Sequence, residues 1–165
     1  MAEPAPPDPR ALHRELVSAV FFAEDPRAIE PLVAASHVLH QSVMESLPPG
    51  RGGVVWAVEQ LRTSFGKAYV QIEDQVQSED RCLTRIVAQL RHTGRLLAAR
   101  PTGRWVRLQA MVITRFSSGK AQETWLETSD FDVLRQLDAF QVKPSARTAP
   151  RPAGDAPRTP GEEEA

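Results

Sequence analysis

Apolar and polar residues alternate in the second half of the chain, as they do in half-buried strands. From Val106 to Val112 every second residue is apolar, and Arg107 and Gln109 stand between them. Residues 68–76 show the same period of two. Successive side chains of a strand point to opposite faces, which produces this period. The pattern predicts four strands, over residues 68–76, 81–92, 104–116 and 120–127.

Helical spacing dominates the first half. It predicts a helix over about residues 12–23, a short helix that begins at Pro26 and includes Leu32 and Val33, a helix over 54–65, and a short closing helix over 131–137. A brief extended segment, HVLHQ, lies between the second and third helices. Helices that precede most of the strands indicate an α+β fold with helices on one face of an antiparallel sheet.

The two ends of the chain have a different composition. Nine of the fourteen prolines fall in residues 1–9 and 143–165, where large apolar residues are nearly absent. Because such segments cannot bury enough apolar surface to become ordered, we expect both to be disordered and residues 10–142 to form one domain. The tail ends in Glu162, Glu163 and Glu164. Such an acidic tail is either a solvated segment or one that recruits a partner.

Composition limits the classes of partner and the cellular compartment that we expect. Twenty basic and twenty-one acidic side chains give a formal charge of -1, so we expect neither nucleic acid nor an anionic membrane as a partner. Cys82 is the single cysteine, which excludes an intramolecular disulfide and fits a reducing compartment. The sequence shows no signal peptide and no membrane-spanning apolar run. We therefore expect a cytoplasmic protein.

The tight turn at Ser118-Gly119 predicts which residues face each other across the last hairpin. With these two residues as the loop, Thr114 pairs with Glu123 and Val112 pairs with Trp125. Glu123 would then lie among apolar side chains with a raised pKa, as a catalytic acid or base or as a structural carboxylate bonded to an arginine or a backbone N–H. A one-residue bulge would instead turn Glu123 to solvent.

The histidines give weaker signals. His13 lies among charged residues of the first helix, so we expect it at the surface. The spacing of His37 and His40 puts them on opposite faces of a strand, which argues against a metal pair. His92 begins a loop and is either a functional residue or a hydrogen-bonded structural one. No nucleophile elbow, phosphate loop or dinucleotide fingerprint is present.

Three segments carry a family resemblance: HTGRLLAARPTGRWV (92–106), RFSSGKAQETW (115–125) and VLRQL (133–137). They resemble the SnoaL-like polyketide cyclases, also called ester cyclase-like proteins, of the nuclear transport factor 2-like superfamily. The resemblance extends from about Glu15 to Leu137. It implies a curved sheet wrapped by helices into a cone with a buried hydrophobic pocket, and intramolecular ring closure without a metal or redox cofactor.

The resemblance also supplies candidate site residues. It gives Glu123 and His92 as catalytic candidates. The candidates for substrate binding are His40, Leu108, Val112, Thr124, Trp125 and Asp130. This chain departs from the family pattern at Leu39, Val112, Thr124 and Ser129, which stand where family members are usually polar.

Two functions remain open at this point. The first is a cyclase or isomerase that removes a proton next to a carbonyl of a hydrophobic, polyketide-like substrate. The second is a non-catalytic module of the same fold that binds a hydrophobic ligand or a second subunit. For a homodimer, the predicted contact surface comprises Trp105, Met111 and Ile113, on the face opposite Glu123.

Overall fold

The computed structural model describes residues 7–41 and 47–140. Its elements are α1 (Pro9–Phe22), a 3₁₀ turn (Pro26–Ile29), β1 (Val33–Gln41), α2 (Arg51–Ser64), β2 (Phe65–Ser78), β3 (Arg81–His92), β4 (Trp105–Ser117), β5 (Lys120–Thr128) and α3 (Asp130–Gln136). The predicted α+β class is confirmed. The disorder predicted for residues 1–6 and 143–165 lies outside the described residues, and α1 begins at Pro9, inside the predicted N-terminal tail.

The sheet has five strands in the order β1-β5-β4-β3-β2. The strands from β2 to β5 pair antiparallel, but β1 runs parallel to β5, so the prediction of a wholly antiparallel sheet is wrong for β1. The segment HVLHQ is the end of a nine-residue strand that begins at Val33. Pro31 lacks the amide hydrogen that would extend the preceding turn as a helix, and the carbonyl of Leu32 instead accepts the amide of Ala121.

All three helices pack against the same face of the sheet, which we call the inner face; the other is the outer face. Three buried apolar clusters connect the helices to the sheet: one contains Val17 of α1 with Ile86 and Ala110, one contains Val58 of α2 with Phe116 and Ala121, and one contains Val133 of α3 with Leu90 and Val106. Burial of these apolar side chains is the main driving force for this layered packing.

A β-bulge in β5 changes which residues face inward. Phe116 pairs with Ala121 but Arg115 pairs with Glu123, which leaves Gln122 as an extra residue. The predicted register is therefore wrong beyond this point: Thr114 faces Thr124, and Trp125 faces Ile113. Because side chains alternate along a strand, one extra residue sends Thr124 to the inner face and Glu123 to the outer face.

A second bulge has the same effect in β2. Ile72 pairs with Ile86 and Asp74 with Arg85, so Glu73 is the extra residue. Its carboxylate lies 2.6 Å from the Arg85 guanidinium, an ion pair that holds the bulge against β3. Val76, predicted with the inward-facing residues, is 56% exposed on the outer face.

The predicted homodimer surface lies on the outer face. Trp105 and Met111 are exposed there and Ile113 is half-buried. Because Glu123 also turns outward, the prediction that these residues lie opposite Glu123 is wrong. The homodimer itself stays a prediction.

The start of β4 extends past the end of β5, and side chains of the α3 region replace the missing strand. The Gln136 amide accepts the Arg107 backbone N–H at 2.8 Å and donates to the Arg107 carbonyl at 2.9 Å. Ser129 makes the equivalent bonds to the backbone of Gln109. These bonds satisfy the edge of β4 that β5 leaves unpaired, and they fix α3 against the sheet.

The side chain of Arg62 in α2 caps the C-terminal end of α1. Its guanidinium donates to the carbonyls of Ala19, Val20 and Glu24 at 2.8–3.2 Å. These are carbonyls that a helix end leaves without intrahelical partners, and a cation is favoured there by the helix dipole. The side chain therefore joins the two helices that cover the sheet.

We expect Arg62→Ala to lower the free energy of unfolding by about 2 kcal/mol, because the carbonyls that accept from the guanidinium lose their charged donor. Arg135→Ala is the matched control, since Arg135 is exposed and bonds only to the neighbouring Asp132 among the described residues. Urea denaturation of both variants measures the difference. Equal midpoints for the two would contradict this role of Arg62.

Candidate functional site

Three of the predicted site residues, Glu123, His40 and Trp125, lie together on the outer face. The Glu123 carboxylate is 2.9 Å from His40 Nε2 and 3.2 Å from the Arg115 guanidinium. The hydrogen bond from His40, together with Arg115, holds the pKa of Glu123 below its usual value. The prediction of a buried Glu123 with a raised pKa is therefore wrong.

Trp125 completes this outer cluster. Its ring stacks on the His40 ring at a centroid distance of 5.2 Å, and the Arg81 guanidinium lies 5.4 Å from the Trp125 ring. The side chains of this outer cluster therefore find their stacking and ion-pair partners among one another. None of these side chains lines the inner face, so their positions do not support the predicted roles in substrate binding.

His92 faces inward at the far end of β3 and is fully buried. Its Nδ1 lies 3.0 Å from the Thr102 hydroxyl and accepts the Thr102 backbone N–H at 3.3 Å. Burial lowers the pKa of His92, and its Nε2 has no hydrogen-bond partner in the described part of the chain. His92 and Glu123 lie on opposite faces of the sheet, so the structure does not bring the two catalytic candidates together.

A buried polar network crosses the inner face near the two bulges. His13 of α1, expected at the surface, is 1% exposed and lies at its centre. Its Nδ1 is 2.8 Å from the Thr84 hydroxyl, and its Nε2 is 3.4 Å from the Thr114 hydroxyl. His13 turns inward because its position on α1 faces the sheet, three residues before the buried Leu16.

Gln75 and Thr124, the residues that the bulges turn inward, extend this network. Gln75 donates to the Thr84 hydroxyl at 3.0 Å, and the hydroxyls of Thr114 and Thr124 lie 3.1 Å apart. One pattern satisfies every group: Thr84 donates to His13 Nδ1, and His13 Nε2–H donates to Thr114. This pattern needs a neutral imidazole, and burial lowers the pKa of His13 to about 4.

A second polar group lies on the inner face at the end of β5. Thr128 pairs with the buried Ala110 and therefore projects inward, and its hydroxyl donates to the Asp130 carboxylate. Gln41 is paired with Leu126 on the neighbouring strand, and its amide Nε2 is buried without a hydrogen-bond partner among residues 7–41 and 47–140. Gln41 therefore lies on β1 beside Leu126, two positions along β5 from Thr128, to which Asp130 is bonded.

The surrounding inner face is apolar and only partly filled. Leu108, Val112 and Leu126 project from it and are half-buried. Of the predicted substrate-binding residues, Leu108, Val112 and Thr124 lie on this face, and Asp130 is bonded to it through Thr128. We call the group formed by Gln41, Leu108, Val112, Leu126, Thr128 and Asp130 the inner site.

Sequence reasoning missed Gln41 and Thr128. Gln41 follows Leu39 at the strand period, a signal that would have placed both on one face once HVLHQ was recognised as part of a strand. Thr128 could not have been placed without the bulge at Gln122, because unbroken alternation from Ala121 gives the wrong face.

A cleft of about 290 Å³ opens elsewhere, between the ends of α1 and α2 and the start of β2. Phe21, Phe22, Leu61, Phe65 and Leu90 supply its apolar lining. None of the predicted site residues lines it. Within residues 7–41 and 47–140, no three metal-ligating side chains lie together, and no helix is long and apolar enough to cross a membrane.

Comparison with known proteins gives the family. Residues 11–137 match the family model described as SnoaL-like polyketide cyclase. The chain therefore belongs to the SnoaL-like polyketide cyclase family. Among curated proteins, no sequence matches this chain significantly.

Solved structures show the same fold. AclR from Streptomyces galilaeus, provisionally assigned as a hydroxylase, has 23% identity and a TM-score of 0.70 over 81% of this chain and 86% of its own. IdmH from Streptomyces antibioticus, provisionally assigned as a polyketide cyclase, has 25% identity and a TM-score of 0.67 over 80% of this chain and 99% of its own.

A more distant match names the fold. A Catenulispora acidiphila protein with a ketosteroid isomerase-like fold has 15% identity and a TM-score of 0.64, over 79% of this chain and 97% of its own. The nuclear transport factor 2-like fold predicted from sequence is therefore confirmed.

We expect stability to fall in acid because of His13. Above pH 6.5 the residue is neutral in both states; between pH 6.5 and about 4 the unfolded chain takes up a proton that the folded chain excludes. The free energy of unfolding should drop by about 3 kcal/mol over that range from this residue alone. Denaturant titrations at several pH values measure the drop, and His13→Gln should reduce it. The same drop in parent and variant would contradict the assignment.

Proposed function

We propose that this protein is a cofactor-independent cyclase or isomerase that removes a proton next to a carbonyl group of a hydrophobic, polyketide-like substrate. The observation that carries the proposal is the inner site: a carboxylate, an unused amide donor and half-buried apolar side chains on one part of the sheet. Family membership supports the substrate class.

In this proposal Asp130 is the general base. One of its oxygens accepts the Thr128 hydroxyl, which positions the carboxylate and leaves the other oxygen for a substrate C–H. The Gln41 amide donates to the carbonyl oxygen, where negative charge develops as the proton leaves. Leu108, Val112 and Leu126 bind the apolar part of the substrate.

The proton and the electrons balance without a further reactant. The C–H bond electrons form the C=C bond of an enolate and the carbonyl π electrons move to its oxygen, while the proton binds Asp130. In ring closure, the enolate carbon forms a bond to a second carbonyl carbon, and the resulting alkoxide takes the proton from Asp130. In isomerisation, the proton returns to another carbon of the same enolate. Either way Asp130 is restored.

Binding of a hydrophobic ligand without turnover is the second candidate function. It is favoured by the position of Glu123, because the acid that the resemblance gives as catalytic is paired on the outer face. The inner site could then hold a ligand by its apolar residues alone. The two candidates differ in whether the bound molecule loses a proton.

We expect the protein to speed deuterium uptake next to the carbonyl of α-tetralone in deuterium oxide, as followed by NMR. Asp130→Asn should slow this uptake roughly 100-fold or more, because it removes the base. The matched control Glu123→Gln removes an acid of the outer face and should leave the rate within about twofold of the parent.

The outcomes separate the two functions. Tetralone signals that broaden on binding to the parent, without faster deuterium uptake, would favour the binding function. Equal rates in the parent and in Asp130→Asn would overturn the role of Asp130.

A further inference from the structure

The outer face carries a cluster of cations and aromatic rings at the end opposite Glu123. Two cross-strand rows form it: Lys67, Arg91 and Trp105 in one, and Tyr69, Gln89 and Arg107 in the next. All six residues are exposed. We call these six residues the basic–aromatic patch.

Lys67 and Arg91 are directly opposite each other on β2 and β3. Two like charges in this position repel and destabilise a sheet. Among the described residues, neither side chain has an ion pair or a hydrogen bond, and the same holds for the side chain of Arg107. The repulsion between Lys67 and Arg91 is therefore not relieved by any described carboxylate.

The other end of the outer face provides an internal comparison. Arg81 and Arg115 are also directly opposite each other, on β3 and β4. There, however, Arg115 is 3.2 Å from the Glu123 carboxylate, and Arg81 is 3.8 Å from Asp80. The fold thus neutralises one pair of facing cations and leaves the equivalent pair at the patch without a counter-ion.

Two large aromatic side chains are exposed beside these cations. Tyr69 is 69% exposed and Trp105 is 43% exposed, and their ring centroids are 5.2 Å apart. Aromatic and arginine residues are enriched where proteins contact each other. Exposed rings next to uncompensated charge indicate a contact surface.

The sequence around the patch is rich in cations. Residues 81–122 contain nine arginine and lysine residues and no aspartate or glutamate, although the whole protein has a formal charge of -1. Acids from other segments pair with some of these cations, as Asp138 does with Arg104 at 2.6 Å, but no described acid pairs with Arg91 or Arg107. Such unpaired cations attract an anionic partner at short range.

We propose that the basic–aromatic patch binds an acidic protein surface. Neighbouring cations of the patch are about 5–8 Å apart, as set by strand spacing and rise. Carboxylates at i and i+4 of a helix are about 6 Å apart and match this spacing. An apolar side chain between them would pack on Tyr69 and Trp105.

Single-stranded nucleic acid and a second copy of the chain fit the patch less well. Three cations neutralise few phosphates, so affinity for a nucleic acid would be small at physiological salt. A two-fold contact whose axis passes through the patch would bring cation against cation. An acidic helix relieves the Lys67–Arg91 repulsion and covers the aromatic rings at once.

The test is a fluorescence titration of the full chain at low ionic strength, with a helical peptide that carries glutamates at i, i+4 spacing and leucines between them. We expect saturable binding that changes tryptophan emission and weakens with salt. The double variant Lys67→Gln/Arg91→Gln should bind at least tenfold more weakly, and so should Trp105→Ala. The matched control Arg27→Gln/Arg135→Gln removes the same charge from exposed positions outside the patch and should bind as the parent does.

Each contrary outcome overturns the proposal. These are no saturable binding, equal loss in the patch and control variants, equal binding of a peptide with glutamine in place of glutamate, or tighter binding of an oligothymidylate of the same charge. A dimer, detected by sedimentation, that dissociates in the patch variant would assign the patch to a second copy instead. Thermal unfolding of Lys67→Gln is the folding control: relief of repulsion should leave its Tm equal to or above that of the parent.

Discussion

The extra residue at Gln122 is the constraint on which the chemistry of both faces depends. A strand offers two faces, and one unpaired residue exchanges them for everything that follows. Without it, Glu123 would lie among apolar side chains, where an unpaired carboxylate is costly. With it, the carboxylate meets His40 and Arg115 on the outer face, and the small hydroxyl of Thr124 takes the inner position.

The inner face is polar at both bulges yet carries no described ion pair there. Thr84, Thr114 and Thr124 present hydroxyls that can both donate and accept, so they can satisfy either tautomer of His13. A buried polar network is stabilising only when each member has a partner, and here the Gln75 amide completes the chain. Burial of the network therefore carries no cost of burying a charge, because His13 stays neutral.

Local patterns predicted the elements well and the contacts between them less well. Strand β3 was predicted at its observed bounds, because a turn at residues 78–80 precedes it and a glycine-containing loop follows it. The bulge at Gln122 leaves no mark in the sequence, since the adjacent apolar residues Trp125 and Leu126 fit either face. The pairing of β1 with β5 joins residues that are distant in sequence, and no local pattern encodes it.

The candidate site depended on these same contacts. In the structure, Leu108, Val112 and Thr124 lie on the inner face, whereas Glu123, His40 and Trp125 lie on the outer face. His13 was missed because charged neighbours on a helix say little about a single position that faces the sheet. The resemblance named Glu123, His40 and Trp125, and the register of β5 with its neighbours places all three on the outer face.

The parallel pairing of β1 with β5 has a consequence for how the protein is made. His37, on β1, bonds to the carbonyl of Ala121, 84 positions later in the chain. A strand with so remote a neighbour cannot dock until the ribosome has released the final hairpin, and contacts of such long separation slow folding. The inner site, which includes Gln41 of β1 and Asp130, therefore forms only in the last stage of assembly. A fully formed inner site indicates that the whole sheet has formed.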